Sequence, residues 1–117
     1  METLTIYHNP RCGKSRAALA LLRERQVPLE IVEYLKTPPT RAQLATLRRK
    51  LGRHASEWIR KGEQEFREAG LDADSPEAKL LDAMAKHPIL IERPIVVRGD
   101  RAVVGRPPER VLELLED

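Results

Sequence analysis

The spacing of apolar residues predicts the order of elements near the N-terminus. The apolar run LTIYH predicts a strand, and residues 13–26 follow it with Ala18 and Leu22 at helical spacing. Residues 30–34 then alternate as a second strand would. Strand, helix and strand in succession predict a right-handed parallel βαβ unit.

Helical patterns fill the middle of the chain. The first expected helix begins after a cap at Thr40, and two shorter helical segments follow near residues 56–60 and 63–69. A fourth begins after a cap at Ser75, with Pro76 in its first turn. A proline pair at 38 and 39 separates this region from the βαβ unit. We therefore expect a helical insert at about residues 40–87.

The last third of the chain predicts a hairpin and a helix. Residues 95–97 and 102–104 are apolar and flank a Gly99-Asp100 turn, which is typical of an antiparallel hairpin. Pro107 and Pro108 begin a final helix. Its expected inward residues are Val111, Leu112 and Leu115. This order of elements is that of an α/β fold, and a length of 117 residues predicts one domain spanning residues 1–117.

Composition argues against nucleic-acid and membrane partners. The 21 basic and 18 acidic residues are interspersed, which is typical of solvated helix faces. Four aromatic residues offer little surface for base stacking. No apolar stretch approaches the roughly 20 residues that cross a bilayer, and no targeting segment is recognisable at the N-terminus. We expect a soluble, cytoplasmic protein.

Cys12 is the only cysteine and lies where the first strand passes into the first helix. The free backbone N–H groups and the dipole of a helix N-terminus stabilise an anion there, and Arg11, Lys14 and Arg16 add positive charge. Thiols in such positions have pKa values lowered to roughly 3.5–7.5 from about 8.5. The pattern favours a reactive thiol over an inert buried cysteine. Any redox cycle must then use an external thiol.

Two motifs around Cys12 fail on a required residue. Gly13-Lys14-Ser15 imitates the end of a phosphate-binding P-loop, but His8 stands where that loop needs its first glycine. A cysteine phosphatase needs an arginine six residues after the nucleophile, and Ala18 stands there. These residues argue against both a nucleotide hydrolase and a cysteine phosphatase.

A metal site is not predicted. His8, His54, His87 and Cys12 lack the paired short spacing of a closed zinc site. We expect His54 and His87 to be exposed polar residues near helix ends.

Cys12 and Ser15 form a C-x-x-S pattern, the one-cysteine version of the C-x-x-C redox arrangement. Around it, the stretch YHNPRCGKSR (7–16) resembles the active-site loop of the arsenate reductase family that couples to glutaredoxin. Further segments match the family's landmarks in order, namely EYLKTPPT (33–40), RKGE (60–63), HPILIERPIVV (87–97) and GRPPERVLELL (105–115). Two features of the sequence, Lys14 and its last residue at position 117, are similar to those of the arsenate-reductase-like subgroup of this family.

The resemblance implies a thioredoxin-like fold and a set of site residues. In the family, the cysteine matching Cys12 attacks arsenate, and three arginines matching Arg60, Arg93 and Arg106 hold the oxyanion. Pro94 matches the family's cis proline beside the thiol. Guanidinium groups suit this task because they bind oxyanions bidentately and cancel charge before an anionic sulfur approaches.

The resemblance further implies glutathione as co-substrate, glutaredoxin as partner and no bound cofactor. His8 is a candidate supporting residue through a hydrogen bond or a positive charge, and Ser15 through donation to the thiolate or to the backbone.

Two alternatives remain open at this point. One is a glutathione-dependent thiol transferase acting on mixed disulfides. The other is a transcriptional regulator similar to the Spx proteins, which share the fold and bind RNA polymerase. Ser15 at the second position of the motif speaks against the regulator, because those proteins usually carry C-x-x-C.

Overall fold

A computed structural model describes residues 2–116, and its contacts divide them into two units. The first unit contains the residues up to Thr37 and those from Arg93 onward, and the second is Pro38–Glu92. The elements of the first unit are β1 (Leu4–His8), α1 (Gly13–Glu24), β2 (Leu29–Glu33), β3 (Ile95–Arg98), β4 (Arg101–Val104) and a 3₁₀ helix (Pro108–Leu115).

The four strands form one sheet in the order β2-β1-β3-β4. β1 pairs in parallel with β2, so that Ile6 lies opposite Ile31, and antiparallel with β3, so that Ile6 lies opposite Val96. β3 and β4 pair antiparallel across the turn at residues 99 and 100. The predicted parallel strand pair and the predicted hairpin are therefore confirmed.

The core of the first unit joins alternate residues of β1 to one face of α1. Leu4 and Ile6 are fully buried because successive strand residues point to opposite faces. Ala18 and Leu22 of α1 lie four residues apart, on the same face of the helix, and are also fully buried. This packing fixes α1 on the sheet immediately after the loop that carries Cys12.

The final helix differs from its prediction in type and in buried residues. It is a 3₁₀ helix, in which Val111 and Leu114 are fully buried. Leu112 is half-buried, and Leu115 packs in part against the core. Of the expected inward residues, Val111 is confirmed and Leu115 packs partly against the core. The choice of Leu112 rather than Leu114 was wrong, because three residues per turn, rather than 3.6, place positions 111 and 114 on one face.

The second unit is helical, as predicted for the insert. Its elements are α2 (Arg41–Leu51), a 3₁₀ turn (Ala55–Glu57), α3 (Gln64–Glu68), α4 (Glu77–Lys86) and a second 3₁₀ turn (Pro88–Leu90). α4 packs against α2 and against both turns. The largest fully buried residues of this unit are Leu44, Trp58, Leu80, Met84, Leu90 and Ile91.

The two predicted helix caps have different outcomes. Thr40 caps α2 as expected, in a capping box with Gln43. The cap predicted at Ser75 was wrong, because Pro76 is the residue that precedes α4 and its backbone is extended. The Ser75 hydroxyl instead accepts a hydrogen bond from the backbone N–H of Asp72, 2.9 Å away, in the preceding turn. Among residues 2–116, no helix is long and apolar enough to cross a membrane.

Glu77 at the start of α4 ties three segments of the second unit together. Its carboxylate accepts hydrogen bonds from the backbone N–H of Ala55 at 2.8 Å and from Arg48 Nε at 3.0 Å, and it lies 3.5 Å from His54 Nε2. The Ala55 amide lowers the pKa of the Glu77 carboxyl most, and Arg48 and His54 lower it further against the opposing effect of burial.

We expect Glu77→Ala to lower the free energy of unfolding by about 2 kcal/mol, since it leaves a backbone N–H and a guanidinium without their acceptor. The depressed pKa of Glu77 means that its contribution is present above the unfolded-state pKa and is lost as pH falls through the folded-state pKa. Urea unfolding at pH 7 and at acidic pH measures both effects. Asp82→Ala is the control, because its ion pair with Arg41 is exposed and should contribute at most about 1 kcal/mol. Equal losses from the two variants would contradict the assignment.

Candidate active site

Cys12 is the residue that precedes α1, and a tight turn presents it. The backbone N–H of Cys12 donates to the carbonyl oxygen of Asn9 at 3.0 Å, and the N–H of Arg11 donates to Asn9 Oδ1 at 3.0 Å. The carbonyl of Cys12 accepts from the N–H of Arg16 at 3.0 Å, which is the first bond of the helix. The Cys12 thiol is half-exposed and lies at the helix N-terminus, as predicted.

The pKa of the Cys12 thiol is lowered from its ordinary value. Burial, the largest single effect, raises the pKa, but several weaker effects together exceed it. The backbone N–H groups of Ser15 and Lys14, in the first turn of α1, favour the charged sulfur, and Arg93 does so through its charge and a hydrogen bond. These groups favour the thiolate, so a larger fraction of the sulfur is ionised at neutral pH than in an ordinary thiol.

The strand register explains why Arg93 reaches the thiol. Tyr7 of β1 lies opposite Ile95 of β3 in an antiparallel pair. As the chain continues past His8 it therefore runs beside the residues that precede Ile95, and these are Arg93 and Pro94. The Arg93-Pro94 peptide bond is cis, at the position that the family resemblance identifies.

Arg106 is brought to Arg93 by the hairpin. Ile95 pairs with Val104, so the segments just outside this pair are neighbours. The N–H of Gly105 donates to the Pro94 carbonyl at 2.8 Å, and Arg106 Nη1 donates to the Arg93 carbonyl at 3.1 Å. A Cβ on Gly105 would lie 2.8 Å from a Pro94 ring carbon, so only glycine allows this approach. The Arg106-Pro107 bond is also cis, which the sequence analysis did not anticipate.

His8 and Ser15 form a buried polar pair behind the loop. His8 Nδ1 lies 2.6 Å from Ser15 Oγ, which also accepts a hydrogen bond from the N–H of Asn9 at 3.0 Å. The structure thus places the Ser15 hydroxyl with His8 and Asn9, while the Ser15 backbone N–H faces the thiol. Burial lowers the pKa of His8 despite the opposing charge of Glu33, so we expect a neutral imidazole at pH 7.

Arg60 belongs to the second unit and is held there by three contacts. Its backbone N–H donates to the Leu90 carbonyl at 2.7 Å, and Nη1 donates to the Ile89 carbonyl at 3.2 Å. Nη2 lies 2.6 Å from Glu63 Oε1. Glu63 was not predicted as the partner of Arg60, because the two residues lie in a turn outside the helices, where sequence separation does not fix which side chains meet.

The other histidines take part in local contacts of the second unit. His54 is exposed as predicted and pairs with Glu77, whereas His87 is half-buried where α4 ends, so its predicted exposure was wrong. The His87 backbone bonds to Ala83 on one side and to Leu90 on the other, which holds the residue against the helix end. Within residues 2–116, no three His, Cys, Asp or Glu side chains form a group able to hold a metal ion.

The first unit therefore combines a thiol of lowered pKa, the free amides of the first turn of α1 and two neighbouring arginines. Arg93 contacts the thiol, and Arg106 contacts the main chain of Arg93. Such an arrangement suits attack by sulfur on a negatively charged partner, because the guanidinium groups offset the repulsion between the two anions.

Comparisons with known proteins agree with this geometry. The model of the ArsC family matches residues 7–114. An arsenate reductase of Neisseria meningitidis serogroup A is 45% identical over 117 residues, covering 98% of this chain and 100% of that protein. The uncharacterized protein YfgD of Escherichia coli K12 is 48% identical over 116 residues, covering 97% of this chain and 98% of that protein.

A solved structure confirms the predicted thioredoxin-like fold. The arsenate reductase from Vibrio cholerae superimposes with a TM-score of 0.90 at 43% identity, covering 96% of this chain and 97% of that one. With a family model that spans nearly the whole sequence and relatives of full length, the family is established. The chain belongs to the ArsC family.

Proposed function

We propose that this protein is an oxidoreductase that reduces arsenate to arsenite through the Cys12 thiolate. The observation that carries the proposal is the contact of Arg93 with a thiol whose pKa is lowered at a helix N-terminus. The choice of arsenate as substrate rests on relatives named arsenate reductase that match nearly the full length of the chain.

In the first step, the Cys12 thiolate attacks arsenic(V) and displaces one oxygen, which leaves as water after protonation. A bond forms between sulfur and arsenic, and arsenic keeps its oxidation state. Arg93 lies where it can bind an arsenate oxygen while it stabilises the sulfur, and Arg106 lies beside it. The role of Arg60 as an oxyanion ligand stays a prediction of the family resemblance.

In the second step, the glutathione thiolate attacks the Cys12 sulfur. A disulfide bond forms between the two sulfurs, the sulfur–arsenic bond breaks, and its electron pair stays on arsenic, which leaves as arsenite. Two thiols are thereby oxidised to one disulfide while arsenic(V) is reduced to arsenic(III). Glutaredoxin then takes the glutathionyl group by thiol–disulfide exchange and frees Cys12. An external thiol is required because the chain has one cysteine.

A second function uses the same sulfur without arsenate. A glutathione-dependent thiol transferase needs a thiolate of lowered pKa and cations for the glutathione carboxylates, and the first unit offers both. Turnover of a glutathionylated peptide in the absence of arsenate reduction would select this function. No observation favours the regulator similar to Spx. Ser15 stands where a C-x-x-C motif has its second cysteine, and its hydroxyl is hydrogen-bonded to His8.

Cys12→Ser should lower arsenate turnover by roughly a thousandfold or more, because a hydroxyl is not ionised at neutral pH and cannot form the adduct. The measurement is steady-state arsenite production with arsenate, glutathione and glutaredoxin. Ser56→Ala, a hydroxyl deletion in the second unit, is the matched control and should retain wild-type turnover. Substantial turnover by the Cys12 variant would remove the nucleophile from the mechanism.

Arg93→Ala and Arg106→Ala should each raise the KM for arsenate about 10- to 100-fold, since each removes a charge-assisted contact with the oxyanion. Arg101→Ala provides the control, because Arg101 also bonds to backbone carbonyls, those of Glu113 and Glu116, but lies at the far end of β4. Its KM should stay within about twofold of wild type. Wild-type arsenate kinetics in both site variants would exclude these arginines from oxyanion binding.

A further inference from the structure

A cavity of about 210 Å³ lies beside the loop that carries Cys12 and is not used by the proposed arsenate site. One wall is the turn ahead of the thiol, with Pro10 and Arg11. The other wall is the end of β2 and the turn after it, with Glu33, Leu35 and Lys36. That turn is closed by a hydrogen bond from the Lys36 N–H to the Glu33 carbonyl at 2.9 Å.

We propose that this cavity binds the small thiol that attacks the Cys12 adduct, a glutathione-type peptide with two carboxylates and one ammonium group. The assignment rests on the proposed function for the identity of the reaction. The new element is the position of the attacking thiol, which would approach the Cys12 sulfur from this cavity.

Charge supports this occupant. The cavity carries two cations, Arg11 and Lys36, and one carboxylate, Glu33, which is the inverse of the ligand's two carboxylates and one ammonium. Lys36 Nζ lies 3.5 Å from Glu33 Oε1, and both side chains are exposed. Exposed pairs of this kind contribute at most about 1 kcal/mol, so the ligand's own charges can replace the partners at little cost.

Apolar surface and position support it as well. Leu35 is 46% exposed, one of two large hydrophobic residues left exposed among residues 2–116. Together with Pro10 it offers a surface for the methylene groups of the ligand. The cavity is smaller than the usual range of about 300–1,000 Å³ for small-molecule sites, so it accommodates part of a tripeptide. Arg11 adjoins Cys12 in the chain, which keeps the ligand's sulfur near the nucleophile.

The test is a titration of the full chain with S-methylglutathione, followed by backbone amide NMR. This analogue has no free thiol, so its binding requires neither arsenate nor a redox step. We expect the shifts of Arg11, Leu35 and Lys36 to change with the analogue. Lys36→Glu should weaken binding about tenfold, while Lys79→Glu, the same change on an exposed residue of α4, should leave the affinity unchanged.

Leu35→Trp tests the shape of the cavity independently of charge. The larger side chain should fill the space and raise the KM for glutathione about tenfold or more, with the KM for arsenate unchanged. Thermal unfolding should match wild type, because Leu35 lies at the surface and outside the buried core.

Undetectable binding to wild type, shifts confined to other residues, or wild-type affinity in both variants would overturn the assignment. It would also be overturned if Lys36→Glu slowed reduction by glutaredoxin but left the affinity for the analogue unchanged, since the surface would then serve a protein partner. If the protein binds the analogue in this cavity but does not reduce arsenate, the ligand site is supported and the proposed function is refuted.

Discussion

The ionised sulfur of Cys12 is the charge on which the candidate site depends. Burial opposes that charge, and the groups that offset it come from two separate parts of the sequence. The start of α1 supplies the N–H groups of Ser15 and Lys14, and the segment before β3 supplies the guanidinium of Arg93. The pairing of β1 with β3 joins these parts, because it sets Tyr7 opposite Ile95. The electrostatics of the thiol therefore follow from strand register.

The polar groups around the sulfur divide into those that carry charge and those that hold the loop. His8 is buried and hydrogen-bonded to Ser15, and its lowered pKa keeps the imidazole neutral near pH 7. Arg93 and Arg106 supply guanidinium groups on the same side of the sheet end. Ionisation of the thiol itself is therefore the step that produces the nucleophile.

Much of this arrangement could be predicted from local patterns. The start of α1 after Cys12 followed from apolar spacing, and the hairpin at residues 95–104 implies that Arg93 and Arg106 are neighbours. Other features could not be predicted in this way. Leu114 is buried because the last helix is a 3₁₀ helix rather than an α-helix. Ser75 does not cap α4 because its hydroxyl accepts a hydrogen bond from Asp72 instead. In both cases the sequence is compatible with either arrangement. The roles of the Ser15 hydroxyl and its amide could not be separated by sequence, because both lie in the first helical turn.

The most direct measurement is the rate of Cys12 alkylation by iodoacetamide as a function of pH, in the wild type and in Arg93→Ala. We expect a wild-type midpoint below the ordinary thiol pKa of about 8.5 and a higher midpoint when the guanidinium is removed. A wild-type midpoint at or above the ordinary value would contradict the account, and so would a midpoint unaffected by loss of Arg93.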